Sequence, residues 1–113
     1  MTASNKYRAI KTVVDGITFA SKKEAKRYTE LRLLEKAGLI TDLQLQPAFE
    51  LHVNGHKVGR YTPDFQYIEL KKANYSAPSK VIVEDSKGYV VRDYPLRKRL
   101  FCALYPDIEH REN

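Results

Sequence analysis

The sequence predicts an α/β (α+β) domain in which a central mixed β-sheet is flanked by two helices, and three observations carry that expectation. The stretch "SKKEAKRYTELRLLEKAG" repeats apolar residues at helical spacing between a capping serine and a glycine stop. A second stretch, "RDYPLRKRLFCALYPD", has a proline in its first turn and another just past its end. Around them lie short runs of β-branched and aromatic residues punctuated by Asp-Gly and Asn-Gly, the signature of hairpins. At 113 residues the chain suits one compact domain, 1–113, with residues 1–6 frayed.

Taken in order, "TVVDGITFAS" predicts a hairpin with Val13 and Val14 on one strand, a turn at Asp15-Gly16, and Ile17 to Phe19 on the other. The first helix starts at Ser21 as N-cap and stops at Gly38, burying Ala25, Tyr28, Leu31 and Leu34, with Glu24 on that side one turn before Tyr28. Strands are expected from about Ile40 to Gln46, around Phe49 to Val53, and from about Lys57 through Leu70 with Gly59 and Pro63 interrupting, forming an antiparallel meander. Residues 71–79 read as a polar loop and a candidate partner contact. Lys80 to Asp85 is a further strand, and the second helix is expected to bury Leu96, Leu100, Ala103 and Leu104, with Cys102 filling the core beside Phe101. The terminal "IEHREN" adds a short edge strand.

Twenty Lys and Arg against fourteen Asp and Glu give a net charge of +6, which favours a polyanionic partner. Basic residues near the two helices, Lys22, Lys23, Lys26, Arg27, Arg92, Arg97, Lys98 and Arg99, are the candidates to contact nucleic-acid phosphates; a merely solvated helix face is the competing reading. A single cysteine excludes an internal disulfide and a cysteine-built zinc site. With no bilayer-length apolar run and no signal-peptide pattern, a cytoplasmic protein without a membrane partner is expected. His52, His56 and His110 lack metal-ligand spacing and read as structural.

The acids near the strand ends carry the chemistry. Side chains two apart in a strand share a face, so Val81, Val83, Asp85 and Lys87 point one way and Ile82, Glu84 and Ser86 the other. Antiparallel pairing across the 71–79 loop sets Asp64 beside Asp85. Two carboxylates and an ammonium at one sheet edge suit a hard divalent cation such as Mg²⁺, with Mn²⁺ as substitute.

The blocks "YTPDF" and "DSKG", in this order on predicted strands, resemble the PD-(D/E)xK nuclease superfamily, whose core is a helix, a meander of strands and a second helix: a restriction-endonuclease-like core. More narrowly, the chain resembles phage-type junction-resolving endonucleases of the endonuclease I type and transposon end-cutting nucleases over roughly residues 18–110. The resemblance implies a metal-dependent DNA endonuclease in which Asp64 and Asp85 are metal ligands, Ser86 lends its backbone carbonyl, Lys87 positions the attacking water and Glu24 completes the site. It implies DNA as partner, branched or four-way-junction DNA in particular, a homodimer that makes paired cuts, and, for a phage protein, a bacterial host cytoplasm. The alternative is a nucleic-acid-binding module that keeps the fold without turnover.

Two ambiguities follow from the residues themselves. Ser21-Lys22-Lys23-Glu24 is also a capping box, which gives Glu24 a purely structural role. Glu84 stands next to Asp85, so a bulge would present the wrong carboxylate.

Overall fold

The computed structural model describes residues 10–70, 79–86 and 94–113. Within them the order is β1 (Thr12–Val14), β2 (Ile17–Phe19), α1 (Lys22–Lys36), β3 (Ile40–Leu45), β4 (Phe49–Val53), β5 (His56–Tyr61), β6 (Phe65–Glu69), β7 (Lys80–Asp85), α2 (Tyr94–Leu104) and β8 (Ile108–Glu112). The central sheet runs β3-β6-β7-β8; β6 is antiparallel to both β3 and β7, whereas β8 returns parallel to β7 after α2. This is a mixed-sheet α+β fold with two helices, as the sequence predicts.

Local chemistry sets the element ends. Asp15 and Gly16 both hold positive φ (+53° and +75°), as do Asn54 and Gly55 (+52° and +79°), the pair of left-handed residues a tight hairpin needs. The Ser21 hydroxyl accepts from the Glu24 N–H at 3.2 Å to cap α1. At its other end Gly38, with φ +78°, lets its N–H reach the Glu35 carbonyl while Leu39 N–H reaches Leu34, closing the helix with a Schellman turn.

Alternation along β7 divides the core. Ile82 packs with Phe65, Tyr67 and the α1 residues Ala25, Tyr28 and Leu31 on one face. Val83 packs with Leu51, Tyr61 and Phe101 on the other, so α2 and the β4–β5 ribbon cover that face. Leu34 packs partly buried against the first cluster, completing the expected α1 stripe.

Three expectations need correction. The long strand from Lys57 through Leu70 is two strands in different sheets, because Pro63 has no N–H to continue a ladder; β4 and β5 form a separate ribbon inserted between β3 and β6. The buried face of α2 is Phe101 with Tyr94, Leu100 and Tyr105 against it, while Leu96 is 63% and Leu104 40% exposed and Ala103 faces solvent. Aromatic rings bury more area than leucines, and the Phe101 ring stands 4.9 Å from Phe49 and 5.1 Å from Tyr61, which fixes the helix rotation. Cys102, one residue and about 100° further round, is therefore exposed rather than in the core.

Candidate metal centre at the end of the central strands

The register between β6 and β7 places the acids. Phe65 pairs with Glu84, the strands meet without a bulge, and Asp64 N–H donates to the Glu84 carbonyl at 3.0 Å, so the next step outward sets Asp64 against Asp85. The Ser86 N–H donates to both carboxylates, 2.8 Å to Asp64 Oδ2 and 3.1 Å to Asp85 Oδ1. The two carboxyl groups lie close enough for each to perturb the other's ionisation. Lys87 lies outside the described residues, as do Arg92 and residues 71–78 of the polar loop.

Electrostatics at this point favour an added positive charge. Burial, then Asp85, then Glu24 push the Asp64 carboxyl up to about 7, against the opposing Ser86 N–H. Burial likewise raises Asp85, although the Tyr61 hydroxyl and its other hydrogen bonds resist. Glu24, in the first turn of α1, is raised by burial and then by Asp85. Its backbone N–H completes the Ser21 cap, while among the described residues its carboxylate returns no bond to Ser21 and instead feels the two aspartates. Hard oxygen donors crowded together in this way fit Mg²⁺ or Mn²⁺. Among the described residues, however, no group of three or more ligating side chains stands ready at metal-binding distance.

Glu84 resolves the register question. It is 0% exposed and points to the α1 face, where Arg27 grips it with Nε at 2.7 Å and Nη2 at 2.6 Å, Asn113 Nδ2 donates at 2.8 Å, and the Tyr67 hydroxyl donates as well. Burial pushes its pKa up, but these bonds outweigh burial and hold it below the usual range. Arg27, one of the expected phosphate contacts, is engaged within the protein: its remaining Nη1 pairs with Glu30 at 3.0 Å, so each of its nitrogens faces a carboxylate.

The other basic candidates are divided. Lys22, Lys26 and Arg99 are exposed. Lys23 Nζ donates to the Asn113 carbonyl at 2.7 Å, Lys98 pairs with Glu112 at 3.1 Å, and Arg97 Nη1 donates to the Arg60 carbonyl at 3.3 Å. Two residues at the site were not anticipated. Tyr61 donates to Asp85 Oδ2 at 2.8 Å, and His110 Nε2 lies 2.7 Å from the same hydroxyl. His110 reaches the site through the parallel pairing Val83↔His110, a long-range register that spacing along the chain does not reveal.

Fold and site together define a mixed-sheet α+β protein with an acidic centre at the end of its middle strands. The chain belongs to the family described as "Protein of unknown function (DUF1064)", whose model matches residues 4–112. Neither the curated proteins nor the solved structures provided a match. No helix of the described residues is long and apolar enough to cross a membrane.

Proposed function

We propose that this protein is a metal-dependent DNA endonuclease of the PD-(D/E)xK type that hydrolyses phosphodiester bonds in branched or otherwise structured DNA. One observation carries the reading: an unbulged antiparallel register brings Asp64 and Asp85 to a single shared N–H, that of Ser86, with Glu24 close enough to perturb both. It is supported by the order of elements, since α1 is followed by the antiparallel neighbours β3, β6 and β7 and then by α2, the sequence of parts that a restriction-endonuclease-like core implies.

Mg²⁺ or Mn²⁺ bound there would polarise the scissile phosphate, make hydroxide available near neutral pH and stabilise the leaving oxygen. Asp64 and Asp85 would hold the cation, Glu24 would add negative charge beside them, and the Ser86 carbonyl would be available as a backbone donor. Lys87 orients the attacking water. Water oxygen bonds to phosphorus as the bridging P–O bond breaks, so no covalent enzyme intermediate is needed. The exposed Lys22, Lys26 and Arg99 supply backbone contacts that position DNA without reading sequence. Paired cuts across a junction require two centres, most simply from a C2 homodimer in the cytoplasm of a bacterial host.

The test is to incubate the protein with linear, nicked, flapped and four-way-junction DNA, with and without Mg²⁺ or Mn²⁺, while light scattering measures the oligomeric state. Cation-dependent cleavage, with the junction outcompeting an equal mass of linear duplex, is expected. Absence of cation-dependent cleavage on every substrate overturns the reading.

A further inference from the structure

We infer that Tyr61 and His110 are positioning residues that fix the orientation of the Asp85 carboxylate for cation binding, a role that rests on the metal-dependent reading above. Tyr61 is almost wholly buried and its ring is packed on Phe101, with centroids 5.1 Å apart, and near His110, at 5.9 Å. The ring has no freedom to follow solvent, so the hydroxyl is delivered to one point. That point is Asp85 Oδ2, at 2.8 Å.

A phenol has a single proton to give. Because Tyr61 gives it to Asp85, its contact with His110 Nε2 at 2.7 Å is one in which the imidazole N–H donates and the phenol oxygen accepts. This sets the tautomer: Nε2 carries the proton and Nδ1 carries a lone pair. Nδ1 is buried and has no hydrogen-bond partner among the described residues, so nothing there competes for the opposite tautomer. The result is a directed chain from His110 through Tyr61 to Asp85.

The other oxygen of Asp85 accepts from the Ser86 N–H at 3.1 Å. Both oxygens are thus anchored, and the carboxylate is held by a contact from β5, backed by β8, as well as by its own chain neighbour Ser86. Carboxylates that bind metals hold their geometry through such outer hydrogen bonds, and loss of one lowers metal affinity about 10–100-fold.

Titration calorimetry with Mn²⁺, independent of DNA cleavage, tests this on the full chain. Tyr61→Phe keeps the ring and removes only the hydroxyl, and is expected to weaken Mn²⁺ binding about 10–100-fold while the chain stays folded with a modestly lower melting temperature. His110→Ala should weaken it less, and His110→Gln, which restores an N–H donor, should recover most of that loss. Wild-type Mn²⁺ affinity in Tyr61→Phe overturns the inference. Asp85→Asn in parallel separates the two levels: if it loses Mn²⁺ binding while Tyr61→Phe keeps it, only the positioning role falls. If Asp85→Asn binds Mn²⁺ as the wild type does, the metal-dependent reading falls and takes this inference with it.

Discussion

Glu84 and Asp85 are neighbours on β7 and carry the same functional group, yet the fold treats them in opposite ways. Glu84 meets a guanidinium, a phenol and an amide, and is held ionised. Asp85 is pushed above the usual carboxylate range by burial, against the Tyr61 hydroxyl and Ser86 N–H that donate to it, and its acidic neighbours are a second aspartate and a glutamate. A buried charge needs compensation wherever it sits. Around Glu84 the chain supplies that compensation itself, whereas at the strand ends, where Asp64 and Asp85 meet Glu24, the described residues concentrate negative charge, which an added divalent cation would relieve. A guanidinium partner gives Glu84 its structural role, whereas the gathering of Asp64, Asp85 and Glu24 without a cation beside them among the described residues is what the proposed metal centre rests on.

The contrast can be broken from either side. If the protein is the proposed metal-dependent nuclease, Asp85→Asn is expected to reduce cation-dependent cleavage more than about a hundredfold, since on that reading it strikes a ligand rather than its outer support. Without metal its stability should stay equal or rise on the order of 1 kcal/mol, because the folded state no longer has to ionise a reluctant group. Glu84→Ala should do the reverse. Removing one partner of a buried pair leaves Arg27, Tyr67 and Asn113 without their acceptor, at a cost of about 3–5 kcal/mol in urea unfolding. Glu24→Gln distinguishes cap from ligand: the Ser21 hydroxyl still caps the backbone, so an activity loss of about tenfold or more at constant melting temperature assigns the side chain to the centre.

The two acids also predict a pH profile. Glu84 has a folded pKa below its ordinary 4.5, so its stabilisation is present above that value and lost as pH falls through and below it. Asp64 has a folded pKa raised from 3.8 to about 7, so the folded state binds more protons than the unfolded state across that interval and stability declines as pH rises through it. The metal-free protein should therefore be most stable at mildly acidic pH, as urea titrations across that range would record. Cys102→Ser sits at the small end: for an exposed helix residue the change should stay within about 0.5 kcal/mol, whereas a core cysteine would lose more.

Much of the fold is legible because its signals are local. The Asp15-Gly16 and Asn54-Gly55 turns, the Ser21 cap and the Gly38 stop each depend on a few adjacent residues. The facing of Asp64 and Asp85 follows from period-two alternation and one antiparallel connection. What spacing along the chain does not reveal depends on competition between distant groups. Leucine spacing on α2 suggested one buried face, but the aromatic cluster of Phe49, Tyr61, Phe101 and Tyr105 selects another. Arg27 belongs to a basic run, and only the three-dimensional pairing reveals that Glu84 occupies it. Tyr61 stands three residues before Asp64 with Pro63 between them, so simple alternation gives no relation between the two.

The most direct test of this account is the shift in urea midpoint that Mn²⁺ produces in the wild type and in Asp85→Asn. A cation that answers the crowded aspartates should raise the wild-type midpoint, more at pH 8 than at pH 5, and leave Asp85→Asn unmoved. No shift in the wild type, or an equal shift in both proteins, would contradict it.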